Sequence, residues 1–300
     1  MDRPDDEGGR FGLSPNALGS LYMVIGSLGY VTNDALVRAA TDEGLDVYQT
    51  LFLRSLGMSA ILGIAMVLGG HRLPREAMTG PMVWRVAAEL VAAALFFAAL
   101  VRLDFAVAQT ILMLVPFAVT VVAARFLDER VTGRHYLAVA VGFLGVLAVV
   151  QPVPGRFSGW SLVVIASAGV LVLRELATRR VDPTIPALPI AFLTAVSLAA
   201  LTGLISAVTG WGTITGRAVL FVVVACGLLI VGYIFTIQTV RVGDLSVSAP
   251  FRYSTLVGAV VIGAVAFDEP PGWLTLLGCL LIIAAGVETT RLDRRRPVAG

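Results

Sequence analysis

The chain has 300 residues with a mean hydropathy of +0.89; 57% of its residues are hydrophobic and only 14% are charged. A soluble domain of this size could not expose so much apolar surface to water, so the composition excludes one and makes the lipid bilayer the expected environment. The formal net charge is only +2, and no nucleic-acid partner is expected.

Ten apolar segments are long enough to cross a membrane, because a hydrocarbon core of about 30 Å needs roughly 20 helical residues. Their long unbroken apolar runs indicate helices, since barrel strands alternate polar and apolar residues. We therefore predict an all-α polytopic membrane protein. In chain order, the segments are 15–37, 48–69, 82–101, 105–127, 135–151, 159–178, 187–209, 217–239, 246–267 and 271–290.

The cysteine and histidine residues show no sign of a metal or redox centre. Cys226 and Cys279 fall inside predicted spans, where they serve as small packing residues, and His71 and His135 fall in loops, too sparse for a metal site. Residues 1–14 read as a solvated tail rather than a secretory signal. We expect no metal, no cofactor and no enzymatic activity.

The distribution of arginine predicts the orientation. All 22 basic residues are arginines; with a cytoplasmic N-terminus, fifteen fall on the cytoplasmic side and four outside. Arg54, Arg85 and Arg252 remain within spans. Because positive charge concentrates on the cytoplasmic side, both termini are predicted to be cytoplasmic, in a bacterial inner (plasma) membrane.

One stretch of sequence occurs twice. Asp104 recurs as Asp244 after 140 positions, and the pair Asp128-Glu129 recurs as Asp268-Glu269. Because each copy has an odd number of spans, five, the second copy enters the membrane in the opposite direction from the first. Such inverted repeats are typical of alternating-access carriers. We predict repeats at 15–151 and 152–290, with cytoplasmic tails at 1–14 and 291–300. Both Asp-Glu pairs are expected to cap the helices that follow them.

The paired Asp-Glu ends, together with Pro116 thirteen positions before Glu129 and glycine-rich fifth and tenth spans, resemble the drug/metabolite transporter superfamily of EamA type. The resemblance implies a secondary carrier that exports an amino acid or a related metabolite. The alternative is uptake of a cofactor-like solute such as riboflavin or adenosylmethionine. The second copy departs from the pattern, because Leu256 stands where the family usually has a second proline.

Four charged residues of the predicted spans could not plausibly face lipid: Asp34, Arg54, Glu89 and Arg252. Each would cost about 2.5–3.5 kcal/mol at the bilayer centre, so we expect them to converge on a hydrated cavity. Asp34 and Arg54 either form a fixed salt bridge or open to bind a zwitterionic ligand. Small-xxx-small spacings, such as Ala138 with Gly142, suit close helix packing and could equally support a homodimer.

Glu89 is the candidate for proton coupling. Desolvation favours its neutral acid, whereas Arg85, one turn earlier on the same face, favours the carboxylate. That competition suits a site which gains and loses a proton. The alternative is a purely structural i, i+4 pair with Arg85.

Arg252 is the leading candidate for binding a substrate carboxylate, because a guanidinium binds one bidentately and Pro250 should kink the helix there. The alternative is permanent pairing of Arg252 with Glu89 or Asp34. A channel or an integral membrane transferase is less consistent with charges of mixed sign at scattered depths. Aromatic and amide side chains complete the predicted pocket: Tyr22, Tyr30, Asn33, Gln109, Tyr233, Phe251 and Tyr253.

Overall fold

The computed structural model describes residues 14–71, 80–126, 132–152, 158–182 and 184–294. Every regular element in these ranges is helical. The helices are α1 (Pro15–Asp42), α2 (Val47–Leu68), α3 (Gly80–Leu100), α4 (Phe105–Leu112), α5 (Leu114–Phe126), α6 (Gly133–Val150), α7 (Gly159–Thr178), α8 (Ala187–Thr209), α9 (Gly216–Val242), α10 (Leu245–Ser248), α11 (Ser254–Ala266) and α12 (Trp273–Arg294).

Two crossings are divided rather than continuous. The predicted span 105–127 breaks at Met113, between α4 and α5. Pro116 explains the break, because it has no N–H to donate to the carbonyl of Leu112, the last residue of α4. The ninth crossing begins with α10 and a 3-10 helix, Ala249–Tyr253, so the irregularity predicted at Pro250 is present.

In the described ranges, nine segments are both long and apolar enough to cross a membrane. The segment missing from this set is α1, which at 28 residues is long enough but less apolar. α1 packs along α9 and also contacts α2 and α11, so Val31 and Val37 are fully buried in protein. Since protein surrounds much of this helix, it can carry Asn33 and Asp34, which lipid would not tolerate. The predicted polytopic helical fold is confirmed.

The helix boundaries repeat along the chain. Helices α4, α5 and α6 begin at residues 105, 114 and 133, and α10, α11 and α12 begin at 245, 254 and 273, in each case 140 residues later. The packing repeats too: α1 packs on α9 as α7 packs on α3, while α2 packs on α8 and α6 on α12. If each helix is replaced by its counterpart in the other five-span half, the same principal helix pairs result. The residue limits 15–151 and 152–290 stay a prediction.

Small residues allow the paired helices to touch through their backbones. A Cβ at Gly278 of α12 would lie 2.5 Å from the carbonyl oxygen of Gly145 in α6, and one at Gly29 of α1 would lie 3.1 Å from the carbonyl oxygen of Leu228 in α9. Of the spacings noted in the sequence, Ala138 is buried and Gly142 faces the ring of Phe117. These glycines act in packing within one chain.

The largest hydrophobic core includes the side chains that pack one end of the bundle. It collects the late residues of α1 and α3 and the early residues of α2 and α4, among them Val37, Leu51, Leu100 and Phe105. This end, where α1 leads into α2 and α3 into α4, is called the closed face below. The opposite end, where α7 leads into α8, is called the open face.

Candidate functional site

A cavity of about 630 Å³ lies between α1, α2, α3, α7, α8 and α9. Its wall includes Thr178, the last residue of α7, and Ala187, the first of α8, which places its mouth at the open face. No helix-terminal residue of the closed face lines it. Five charged side chains line the cavity: Asp34, Arg54, Arg85, Glu89 and Arg174.

One stripe of α3 gives the length of the cavity. Arg85, Glu89, Ala93 and Phe97 all line it and follow one another at four-residue intervals. At about 1.5 Å per helical residue, this stripe extends about 18 Å along the helix. The cavity is therefore a long slot, with Arg85 towards the mouth and Phe97 at its inner end.

Asp34 and Arg54 lie at the inner end, joined through an amide. The Asp34 carboxylate accepts a bond of 2.9 Å from the side-chain nitrogen of Asn33 and one of 2.8 Å from that of Gln109. Arg54 donates to the side-chain oxygen of Asn33 at 3.3 Å, and its guanidinium carbon lies 5.0 Å from the centre of the Phe97 ring. Of the two alternatives for Asp34 and Arg54, the fixed direct salt bridge is wrong, because Asn33 lies between them.

Arg54 has few partners for a buried cation. The residue is only 5% exposed, and its Nε has no hydrogen-bond partner within the described part of the chain. Its bond to Asn33 is long and is made to a neutral amide. A buried guanidinium is normally matched by a carboxylate, so Arg54 retains unused capacity to bind an anion.

Glu89 lies midway along the slot and pairs with a residue that sequence reasoning did not assign to the site. Arg174 of α7 donates to Glu89 at 2.8 Å and to Glu175 at 2.9 Å. Arg85 instead donates to the hydroxyl of Thr194 in α8, at 3.0 Å. The alternative of a structural i, i+4 pair between Arg85 and Glu89 is wrong, because Glu89 binds Arg174 of α7 and Arg85 binds Thr194.

Two of the predicted tyrosines line the slot. The ring of Tyr30 packs against Gly232 of α9, where a Cβ would lie 3.0 Å from it. Tyr233 donates its hydroxyl to the carbonyl of Ala187, at 2.9 Å, and so joins α9 to the first residue of α8 at the mouth. Of the other aromatic candidates, Tyr22 packs edge-on against Phe235, and Phe251 is exposed.

Arg252 and Tyr253 lie outside the wall of this cavity. Both belong to the 3-10 helix before α11; Arg252 is exposed, whereas Tyr253 is buried with its ring against Gly286 of α12. The alternative that Arg252 pairs with Glu89 or Asp34 is wrong, since those carboxylates bind Arg174 and the Asn33 and Gln109 amides. Binding of a carboxylate by Arg252 stays a prediction.

An ion pair centred on Glu269 holds the closed face together. Glu269 lies just beyond α11 and accepts a bond of 2.5 Å from Arg38 of α1 and one of 2.6 Å from the backbone nitrogen of Phe105, the first residue of α4. Arg38 also donates to the carbonyl of Leu103, at 3.0 Å. Glu269 therefore caps α4 in the other repeat, and the prediction that Glu269 caps the helix that follows it is wrong. Asp128 and Glu129 lie outside the described residues.

A second set of contacts on the closed face joins the region around the α1–α2 turn to the region around the α8–α9 turn. Gln49 accepts a bond of 2.9 Å from the backbone nitrogen of Gly212, and Glu43 pairs with Arg217 at 3.1 Å. Beneath them, Ala40 and Leu45 pack against Ala218 and Val222. The two sets of contacts separate the slot from the closed face.

Sequence reasoning missed Arg174, although a signal was present. Arg174 falls near the end of the predicted span 159–178 and is one of the fifteen arginines assigned to the cytoplasmic side. Thr194 carried no comparable signal, because hydroxyl side chains are common within spans and usually bond to their own helix. Thr194 does so as well, donating to the carbonyl of Ile190 at 2.8 Å.

The comparisons with known proteins point to membrane transport. Residues 17–151 match the EamA-like transporter family. The pseudopaline exporter CntI of Pseudomonas aeruginosa (strain UCBPP-PA14) is 25% identical over 282 residues, which cover 92% of this chain and 97% of that protein. The riboflavin transporter of Rhizobium johnstonii is 25% identical over 283 residues, covering 93% of each chain.

A shorter match is found with the S-adenosylmethionine uptake transporter of Rickettsia felis, 26% identical over 173 residues, or 57% of this chain and 58% of that protein. A solved crystal structure that is 20% identical superposes with a TM-score of 0.67 over 91% of this chain and 99% of its own, and shows the shared fold. Together these matches confirm the resemblance that the sequence predicted, to the EamA-type carriers of the drug/metabolite transporter superfamily.

Proposed function

We propose that this protein is a secondary active carrier that moves a small organic metabolite, an amino acid or a compound derived from one, across the bacterial inner membrane by alternating access. Export is the favoured direction. Both termini then lie in the cytoplasm, and the slot of this conformation opens to the cytoplasm. The excess of arginine on that side supports the orientation.

The size and lining of the slot are the main support for the proposed carrier function. The slot is large enough for an organic solute, ends within the bundle, and is lined by three arginines and two carboxylates among apolar side chains. Pockets with an apolar wall and a few fixed polar groups suit small organic molecules. The charges of both signs favour a solute that itself carries both signs.

Two other classes of function fit the slot less well. A channel needs a path through the membrane, whereas contacts around Glu269 and Gln49 cover the closed face. A transferase needs a nucleophile or base beside a binding site for an activated donor, whereas the two carboxylates of the slot accept bonds from Arg174 and from the amides of Asn33 and Gln109. Transport rather than catalysis is therefore proposed.

The direction of transport is a separate question. A relative named as an exporter and another named as a riboflavin transporter both match this chain over more than nine tenths of their lengths. Uptake of a cofactor-like solute is therefore the alternative. The fold serves either direction, because gradients and coupling set the net flux.

Solute counterflow in proteoliposomes tests the carrier proposal. Vesicles loaded with an excess of unlabelled solute should accumulate the labelled solute transiently, with amino acids, adenosylmethionine and riboflavin as probes. A carrier produces that overshoot because it exchanges one molecule for another. A flux that follows the gradient without overshoot would indicate a channel and contradict the proposal.

Glu89 is proposed as the coupling group. A proton on Glu89 would remove its attraction for Arg174 and leave that guanidinium paired with Glu175 alone. A homodimer also remains part of the proposal, to be tested by the mass of the protein in detergent.

A further inference from the structure

We propose that the inner end of the slot binds an α-amino-acid head group, with Arg54 binding its carboxylate and Asp34 its ammonium, and that the rest of the solute extends along α3 towards the mouth. This inference rests on the proposed carrier function and narrows its substrate class. It moves carboxylate recognition from Arg252, the candidate chosen from the sequence, to Arg54.

The unmatched guanidinium of Arg54 is the first observation. Its side chain lines the slot and is 95% buried, and its Nε has no hydrogen-bond partner among the residues that the structure describes. A carboxylate placed against it would supply the charge-assisted bonds that the Asn33 amide supplies only weakly. By contrast, the nearby cation Arg174 already binds two carboxylates, those of Glu89 and Glu175.

Asp34 provides the opposite charge at the same depth. Each of its oxygens accepts one amide bond, one from Asn33 and one from Gln109. A carboxylate can accept about four hydrogen bonds, so two positions remain for an ammonium group. The residue is only partly buried and faces the slot.

Asn33 shows that the two groups have suitable spacing. Its amide accepts from Arg54 with the oxygen and donates to Asp34 with the nitrogen, at 3.3 Å and 2.9 Å. One planar amide thus satisfies both residues at once. The carboxylate and ammonium of an α-amino acid are likewise joined through a single carbon, so the head group presents an acceptor and a donor at a comparable separation.

The length of the slot indicates how large the solute is beyond its head group. Phe97 marks the head-group end, and Arg85 lies about 18 Å nearer the mouth along α3. Much of the wall is apolar, although the Glu89–Arg174 pair and the hydroxyls of Tyr30, Ser55 and Thr194 also line it. An amino acid with a long side chain or a large substituent fits this space better than a small amino acid.

Binding measurements on head-group analogues test the inference. The purified protein is screened by thermal shift against the common amino acids, γ-glutamyl dipeptides and adenosylmethionine, since a ligand of the folded state raises Tm. The strongest stabiliser is then compared with its α-amide and its deamino analogue. We expect each analogue to bind at least about tenfold more weakly, a difference of about 1.4 kcal/mol.

The matched variants are Arg54→Gln and Arg85→Gln, which remove the same charge from opposite ends of the slot. Arg54→Gln should erase the preference for the acid over its amide, whereas Arg85→Gln should preserve it. Equal binding of acid and amide by the wild-type protein, stabilisation by riboflavin but by no amino-acid probe, or no stabilisation by any amino-acid probe would overturn the inference. Counterflow of riboflavin in that case would leave the carrier function standing.

Discussion

The carboxylate of Glu269 is predicted to hold the closed face shut, and Glu269→Gln should loosen it. Glu269 accepts from Arg38 at 2.5 Å and from the backbone of Phe105 at 2.6 Å, with the Arg38 and Glu269 side chains 15% and 16% exposed. Hydrogen bonds to charged groups contribute about 1.5–3 kcal/mol. Glutamine keeps an acceptor for Phe105 but loses the charge, so we expect a loss of about 1.5 kcal/mol after allowing for partial exposure.

A loss of that size lowers the ratio of closed to open molecules about tenfold. The assay uses Ala40→Cys as a reporter, because Ala40 is fully buried on the closed face, in a background in which both native cysteines are replaced by alanine. A membrane-impermeant maleimide added to the closed face should label the reporter about tenfold faster in the Glu269→Gln variant.

The neighbouring residue provides the control. Asp268 is exposed and adopts a left-handed backbone conformation with φ of 54°, which asparagine also tolerates, so Asp268→Asn removes a charge with little strain. Its labelling rate should match that of the parent. Equal rates in the Glu269→Gln and Asp268→Asn variants would refute the assignment of Glu269 as the group that closes this face.

Two further predictions concern coupling and packing. Glu89→Gln should make transport insensitive to an imposed pH gradient while counterflow persists; accumulation that still follows the pH gradient would exclude Glu89 as the proton carrier. Gly278→Val should lower stability by about 1–3 kcal/mol, because its Cβ would lie 2.5 Å from a backbone oxygen of α6. Gly227→Ala, which meets nothing within 4 Å, should leave thermal stability unchanged or raised, and equal stability of the two variants would contradict the proposed contact between α6 and α12.

The fold could be predicted because the constraints that lipid places on the backbone and on polar side chains act within each segment separately. An apolar run long enough to cross lipid must be a helix, and a polar residue inside such a run must face protein or water. The same reasoning predicted that Asp34, Arg54, Glu89 and Arg252 would share one cavity. The first three line the slot, whereas Arg252 lies outside its wall. The break at Met113 was missed, because Pro116 stands within an otherwise continuous apolar run.

The partners of the charged residues could not be predicted in the same way. Sequence spacing relates residues of one helix, and it suggested Arg85 for Glu89. The observed partners come from distant parts of the chain: Arg174 for Glu89, Gln109 for Asp34 and Glu269 for the first residue of α4. Which helices meet depends on the glycine contacts between them, and one sequence gives little information on that pairing.

Access to the slot from the two sides of the membrane tests the carrier mechanism most directly. Ala93 lines the slot between Glu89 and Phe97, so an Ala93→Cys reporter in the cysteine-free background samples its middle. In membrane vesicles of each orientation, an impermeant maleimide should label Ala93→Cys from the open face readily, and from the closed face more slowly, with the second rate rising in the Glu269→Gln variant. Labelling from the open face alone in every variant would contradict alternating access.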